Sequence, residues 1–237
     1  MKTIQLRTST GFTLIELLVV ITLIGILAVA VLSALNPAEQ VNKAKDARMS
    51  ADSAQLLSAI DRYYAANLQF PWTEYTAAPA YGVDDLFGAP AYAYGVGVCG
   101  DQDAAGNQDL TQDADTLGDG TGGCAEHGLL VESTELKSGF EKRSYFSDAS
   151  VTNHPENTLW LFKPAGDPTI YVCYKPSAKT NQDKANDTSS ALKYLTWSGA
   201  DGSGTPTAIT QCDPGTSPAA VDWTGNPDDW CWTCVPE

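Results

Sequence analysis

The chain has 237 residues, with 29 acidic against 14 basic residues and a net charge of −15. This acidic excess argues against nucleic-acid binding, which requires clustered Lys and Arg to neutralise phosphates. The chain has only two His, too few for a His-rich zinc site and few for a His-based catalytic triad. Its apolar residues, 43% of the chain, and its six Trp are enough to form a packed core. A soluble cytosolic enzyme is therefore a poor starting hypothesis.

The segment 12–35 is almost entirely apolar, and Glu16 is its single charge. As a helix it would extend about 36 Å, which covers a hydrocarbon core of about 30 Å. A secretory signal peptide, with Ala28 and Ala30 imitating its cleavage site, and an ordinary membrane anchor are the two plain alternatives. A carboxylate inside an apolar helix costs roughly 2.5–3.5 kcal/mol, so Glu16 requires a partner that neither alternative supplies.

A short motif accounts for this carboxylate. Residues 11–16, Gly-Phe-Thr-Leu-Ile-Glu, follow a basic leader and precede the apolar helix, and they resemble the processing signal of type IV pilins and pseudopilins. The resemblance implies that a prepilin peptidase cleaves after Gly11 and N-methylates Phe12. It also implies that Glu16 pairs with the terminal amine of an adjacent copy, and that the partners are further copies of the chain and a pilus or secretion assembly machinery.

Together, the motif and the apolar pattern divide the chain into four segments: a leader at 1–11, a transmembrane or filament-core helix at 12–36, the amphipathic half of the same helix at 37–67, and an exported β-rich domain at 68–237. Apolar residues spaced by three and four place a single apolar face on the amphipathic half. The Asn36-Pro37 step predicts a kink or a melted turn, because Pro removes a helix hydrogen bond.

Three later runs predict strands, at 158–162, 169–174 and 192–197, and 129–132 is a weaker fourth candidate. The stretch 71–94 has aromatics without a clean period and predicts an irregular connection. Antiparallel strands packed on an amphipathic helix would each bury one face. The pilin resemblance implies the same α+β layout: a long N-terminal helix packed on a small antiparallel sheet, with disulfide-rich irregular loops.

All six cysteines follow the apolar helix, and an even number on the exported side favours disulfides. A C-x-x-C pair near the end of the chain leaves a redox or zinc site as alternatives. Six cysteines permit fifteen pairings, and the pair that closes the acidic segment 100–123 is the best single prediction. The cysteines, with that pair first, are Cys99, Cys124, Cys173, Cys212, Cys231 and Cys234.

The segment 100–123 carries six Asp and no basic residue. Asp101 and Asp103, followed by Gly106, resemble the opening of a calcium-binding loop, although the fifth and closing positions depart from the EF-hand pattern. Asp101, Asp103 and Asp109 are the predicted ligands, and calcium is the candidate cofactor. A solvated acidic loop without metal is the alternative.

The sequence contains no recognisable catalytic set, since His127 and His154 are isolated and no Ser lies in a nucleophile-elbow pattern. A non-enzymatic, structural role is therefore expected. The resemblance implies a subunit of a type IV pilus, first in the inner membrane and then in an extracellular filament. The alternatives are a minor pilin, a type II secretion pseudopilin, and a calcium-dependent adhesin or an enzyme displayed on a pilin stalk.

Overall fold

A computed structural model describes residues 11–34, 36–74, 87–91, 94–100, 124, 126–143, 158–186, 192–197, 206–212 and 231–236. The chain divides into two compact units, Met1–Val41 and Asn42–Glu237.

Helix α1 spans Leu14–Ala34 and has 21 residues, a length of about 32 Å. Its large apolar side chains are exposed around the whole circumference, from Leu14 at 81% to Val20 at 43%. Within the described residues, this is the one helix that is long and apolar enough to cross a membrane. A helix that is apolar on all sides needs lipid or other apolar helices around it.

Helix α2 spans Pro37–Asn67. The Asn36 side-chain oxygen accepts a hydrogen bond from the Glu39 amide at 3.4 Å, so Asn36 caps the helix. Pro37 fits the first helical position because no hydrogen bond within the helix is required of that residue. At the other end Leu68 adopts φ 58°, a left-handed conformation that terminates the helix.

The strands of the second unit, in the part of the chain that the structure describes, are β1 Phe87–Pro90, β2 Cys99–Gly100, β3 Glu126–His127, β4 Trp160–Lys163, β5 Tyr171–Tyr174, β6 Lys193–Trp197, β7 Pro206–Gln211 and β8 Cys231–Val235. Six of them form an antiparallel sheet in the order β1-β4-β5-β8-β6-β7. Strand β8 pairs with β5 through residues 233–235 and with β6 through residues 231–232, so it joins the two halves of the sheet. A separate two-stranded ladder is formed by β2 and β3.

One face of the sheet packs on α2. Leu161 of β4 and Val172 of β5 lie opposite each other, and both belong to a buried cluster with Leu56 and Ile60 of α2. These four side chains are fully buried. The predicted pilin-like α+β architecture is therefore confirmed in its main feature, a sheet held against an amphipathic helix.

The other sheet face is buried as well, contrary to the prediction of one buried face per strand. Trp160, Phe162 and Trp232 lie on this face with Leu195, and they form a second apolar cluster. Each of the four residues of β4 is buried. Strands with two covered faces lose the alternation of apolar and polar residues, which is why the sequence around β4 is a continuous apolar run.

Other details also differ from the sequence prediction. The weak strand candidate Leu129–Glu132 is wrong, since these residues form the short helix α4. The connection 71–94 contains a helical turn, α3 (Pro71–Glu74), and strand β1. Strands β7 and β8 were not anticipated. An apolar run of four residues carries no period that separates strand from helix, which explains the error at α4.

Ion pairs fix the segment after α4 on α2. The guanidinium of Arg62 lies 2.8 Å from the carboxylate of Glu135. Asp52, whose side chain is buried, pairs with Arg143, which also donates to Gln55 at 3.2 Å. Arg48 also lies 3.7 Å from the Asp52 carboxylate. Because Asp52 is buried, its charge depends on these two cations more than the charge of an exposed carboxylate would.

The β4–β5 connection is a tight turn. Gly166 has φ 72°, and the amide of Thr169 donates to the Asp167 carboxylate at 2.8 Å. Hydrogen bonds from Thr169 lower the pKa of Asp167 below its usual value; the bond from the backbone amide has the larger effect and the bond from the hydroxyl the smaller. The carboxylate is therefore charged at neutral pH, and the contribution of these bonds is lost as the pH falls through the lowered pKa.

Candidate functional site

The residues around the predicted cleavage position form the start of α1. Thr13 is the N-cap, and Glu16 is the third residue of the first turn. The Thr13 amide donates to Glu16 Oε2 at 3.0 Å, and the Glu16 amide donates to the Thr13 hydroxyl oxygen at 3.3 Å. This reciprocal pair is a capping box, which satisfies two backbone donors that the helix itself leaves unpaired.

The Glu16 carboxylate is only partly used by this cap. The Thr13 hydroxyl also donates to Oε2, at 2.7 Å, so both bonds from Thr13 fall on the same oxygen. The partner is neutral, so it does not compensate the negative charge. The cap therefore supplies hydrogen bonds but no positive charge to this carboxylate.

The predicted scissile position is sterically open with respect to the described residues. Gly11 and Phe12 precede the helix without regular secondary structure, and 74% of Phe12 is exposed. A Cβ atom added to Gly11 would meet nothing within 4 Å. The fold of the chain itself therefore does not require glycine at residue 11, and a requirement for it would come from an enzyme that binds this segment.

Comparison with known families gives one match, to the family described as the prokaryotic N-terminal methylation motif, over residues 6–32. The matched segment contains Gly11, Phe12 and Glu16. The chain carries the class III prepilin signal typical of type IV pilins. No curated protein and no solved structure matches the chain.

The prepilin signal has direct consequences for the chain. It marks a type IV pilin-like or pseudopilin protein that is exported through prepilin processing, and it implies cleavage by a prepilin peptidase and delivery to a pilus or secretion machinery. With the exposed apolar helix α1, it also indicates a membrane-anchored precursor. Proteins of this kind are structural and generally not enzymes.

The six cysteines of the chain form three disulfides: Cys99–Cys124, Cys173–Cys234 and Cys212–Cys231. The first is the pair that the sequence analysis favoured. Cys173 and Cys234 lie directly opposite each other on β5 and β8. No cysteine is free.

Strand geometry explains why the C-x-x-C pair does not close on itself. Cys231 and Cys234 both lie on β8, and residues three apart on a strand point to opposite faces. The two cysteines therefore reach different partners. A thioredoxin-like site would need the pair at the start of a helix with reactive thiols, and a zinc site would need thiolates. The disulfides remove both alternatives.

Loss of the two β8 disulfides should destabilise the domain to different extents. The Cys173–Cys234 link spans 61 residues and Cys212–Cys231 spans 19. The loop-entropy relation gives losses in the free energy of unfolding of about 4 and about 3 kcal/mol when each pair is replaced by alanine. Denaturant unfolding of the detergent-solubilised chain measures both. Native-state labelling of any of the six cysteines by a thiol reagent would contradict the assignment.

The predicted metal ligands, Asp101, Asp103 and Asp109, lie outside the described residues. The structure does describe Cys99 and Cys124, the two residues that flank the segment containing these ligands. Cys99 pairs with His127 across β2 and β3, and the Cys99–Cys124 disulfide adds a covalent link. The two ends of the acidic segment therefore lie side by side. Among the described residues, no group of three or more His, Cys, Asp or Glu could hold a metal ion.

Close backbone packing beside β2 and β3 holds together the two chain segments that flank the acidic segment. The Gly128 amide donates to the Val98 carbonyl at 3.0 Å. A Cβ on Gly128 would lie 2.4 Å from the backbone of Gly97, a distance that no side chain permits. Glycine is therefore required at 128 by the approach of the two chain segments, and the sequence alone does not reveal this requirement.

His127 is not isolated, contrary to the sequence prediction. Its Nδ1 atom lies 2.7 Å from Oε2 of Glu141, whose side chain is buried while that of His127 is half exposed. This contact joins β3 to the turn after α4. His154 lies outside the described residues.

Calcium binding stays a prediction. If Asp101, Asp103 and Asp109 bind calcium only in the folded state, saturation at a hundred times Kd would raise the free energy of unfolding by roughly 2.7 kcal/mol. Thermal melting of the detergent-solubilised chain in millimolar calcium and then in chelator tests this. The control is Asp101→Asn with Asp103→Asn, which should abolish the shift; a shift that survives, or none in the unmodified chain, would contradict it.

Proposed function

We propose that the chain is a structural subunit of a type IV pilus, cleaved after Gly11, N-methylated at Phe12 and polymerised from the inner membrane into an extracellular filament. The observation that carries this proposal is the pairing of a prepilin signal with an apolar helix exposed on every side. In a filament, the α1 helices of many copies would cover each other's apolar surface, which removes it from both lipid and water.

Glu16 supports the same proposal. Its carboxylate lies at the start of α1, where Thr13 supplies hydrogen bonds but no positive charge. Cleavage after Gly11 creates an amine on Phe12. The amine of a neighbouring copy is a cation that reaches the same depth of the helix bundle. An unlike pair in apolar surroundings is poorly screened, so the attraction aligns neighbouring helices.

Filament imaging tests this function. Cells that produce the chain should carry long surface fibres, which an antibody against the exported domain decorates. Absence of fibres, together with loss of secreted enzymes on deletion of the gene, would instead identify a type II secretion pseudopilin. Fibres in which the chain is sparse, and whose main subunit is another protein, would identify a minor pilin.

A further inference from the structure

Two of the three disulfides are nested along the chain. Cys173 pairs with Cys234, and the pair formed by Cys212 and Cys231 lies between them in sequence. The third disulfide, Cys99–Cys124, joins two cysteines that are consecutive. That disulfide can therefore form as soon as both of its cysteines are present. Cys173, by contrast, must leave its next neighbour in sequence unpaired and wait for the last of the six cysteines.

Strand β8 determines which partner Cys173 reaches. It follows all the other described strands in sequence, yet it lies inside the sheet, between β5 and β6. In the described part of the sheet, strand pairing joins the β1-β4-β5 half to the β6-β7 half through β8. Until β8 is in place, no strand pairing separates Cys173 on β5 from Cys212, which directly follows β7.

Export presents the cysteines in chain order. All six follow α1, so a chain anchored by α1 brings them to the oxidising side one after another. Cys212 precedes Cys231 by 19 residues, which corresponds to roughly 1–4 s at a synthesis rate of about 5–20 residues per second. Disulfide formation takes seconds when a suitable oxidant is present. An oxidase therefore meets Cys173 and Cys212 as thiols before the cysteines of β8 arrive.

The pairing that this order favours is incompatible with the sheet. Once Cys99–Cys124 and Cys173–Cys212 are closed, Cys231 and Cys234 are left as partners for each other. These two residues are three apart on β8, and on a strand they point to opposite faces. A bond between them would keep β8 from forming. Since β8 joins the two halves of the sheet, a chain with this pairing reaches the native sheet only through disulfide exchange.

We infer that this chain is a substrate of an exported thiol–disulfide isomerase, which converts the consecutive pairing into the nested one. A thiolate of the isomerase attacks the Cys173 sulfur, forms a mixed disulfide with it and releases the Cys212 thiolate. That thiolate attacks the Cys231 sulfur and releases the Cys234 thiolate. The Cys234 thiolate then attacks Cys173 and releases the isomerase thiolate. Two disulfides of the chain are present before and after, so the exchange consumes neither oxidant nor reductant.

Burial determines when this exchange can occur. Each of the four cysteines in the nested pairs is 0% exposed in the folded domain. A catalyst therefore has no access to their sulfur atoms once the sheet is complete, and the exchange takes place on the open chain before β8 docks. The inference requires export of the domain behind α1, and it holds whether or not the chain then enters a filament.

Disulfide mapping in cells that lack the exported isomerase tests the inference. A maleimide blocks free thiols, and mass spectrometry of non-reduced peptides measures the share of chains in which Cys173 is linked to Cys234. Digestion at aspartate and at aromatic residues separates the last three cysteines, because Asp213 and Trp232 lie between them. Four cysteines allow three pairings, so the native share should fall roughly threefold, with Cys173–Cys212 links in its place. The Cys99–Cys124 link should remain complete.

Two double variants provide matched controls. Cys212→Ala with Cys231→Ala leaves cysteines that all pair in consecutive order, so its correct pairing should be the same with and without the isomerase. Cys99→Ala with Cys124→Ala also loses one disulfide but keeps the nested pairs, and it should show the threefold loss. Each variant is compared with itself in the two kinds of cell, so a change in stability alone does not alter the ratio.

The outcomes decide between nesting and a general folding defect. An unchanged native share in cells without the isomerase, or an equal loss in the two double variants, would overturn the inference. If the first variant does not accumulate, Cys173→Ala with Cys234→Ala leaves the same consecutive order and takes its place. Fibre imaging decides the filament function separately, because the pairing is measured equally well on chains in membranes and in fibres.

Discussion

Glu16→Ala is expected to abolish filament assembly almost completely while leaving membrane insertion and leader cleavage intact. The substitution removes the one charge in α1, and with it the proposed attraction between the carboxylate and the terminal amine of a neighbour. It also makes the helix more apolar, so the precursor should remain in the membrane. Sheared surface fibres and membrane fractions, compared by immunoblot, measure the split between assembled and unassembled chain.

Because Glu16 also belongs to the capping box at the start of α1, the experiment needs controls that separate the loss of charge from the loss of the cap. Glu16→Ala removes the Thr13–Glu16 hydrogen bonds as well as the charge, and loss of such a cap alone costs typically about 1 kcal/mol. Glu16→Gln keeps an oxygen for the Thr13 amide but has no charge. Thr13→Ala does the reverse, since it removes the hydroxyl and keeps the carboxylate.

These two variants separate pairing from capping. If the charge is what assembly requires, Glu16→Gln should assemble as poorly as Glu16→Ala, and Thr13→Ala should assemble nearly as well as the unmodified chain. Normal fibre yield from Glu16→Gln, with a defect in Thr13→Ala, would show that Glu16 acts through its own helix and would contradict the pairing.

Gly11→Val is the second change with a large expected effect. It should block processing, so that the precursor accumulates with residues 1–11 attached. The chain itself tolerates a side chain here, because an added Cβ at Gly11 meets nothing within 4 Å. A block would therefore arise in the peptidase, whose binding of the segment around Gly11 would be obstructed. Mass spectrometry of the membrane-bound chain distinguishes precursor from mature protein.

The structure offers a matched control for this variant. An added Cβ at Gly139 also meets nothing within 4 Å, and this residue lies far from the signal in sequence. Gly139→Val should be cleaved and methylated like the unmodified chain. Complete cleavage of Gly11→Val would refute the assignment of the scissile bond.

The helical part of the fold was predictable from the sequence for a physical reason. An unbroken apolar run predicts α1, and apolar residues spaced by three and four predict α2. Both patterns extend over many residues, and both helices are observed. The Asn36-Pro37 step marks the start of α2 through ordinary capping chemistry. The end of α2 at Leu68 was not predictable, because a leucine with a left-handed backbone conformation at a helix end has no sequence signature.

The sheet was less accessible to sequence reasoning. Strand β1 contains Gly and Pro and lacks strand composition, whereas β8 carries Trp232, Thr233 and Val235, which favour a strand, but within only five residues. Both are fixed by pairing with distant strands. The disulfide pattern depends on the same register, because Cys173 finds Cys234 only when β5 and β8 are adjacent.

At the candidate site, the family match spans Gly11, Phe12 and Glu16, whose roles in processing and assembly stay predictions, and the structure adds the cap between Thr13 and Glu16. Thr13 and Glu16 form a Thr-x-x-Glu pattern before an apolar run, which is the pattern of a capping box. That signal was present in residues 13–16. By contrast, the contact of His127 with Glu141 joins segments far apart in sequence and required the fold.

The central claim is that this chain is the subunit of a processed filament, and one measurement tests it most directly. Surface fibres sheared from cells are purified, and their main subunit is analysed intact by mass spectrometry. The predicted result is a chain that begins at Phe12, carries one added methyl group on its terminal amine, and retains three disulfides. Fibres that lack this chain, or that contain it with residues 1–11 still attached, would contradict the claim.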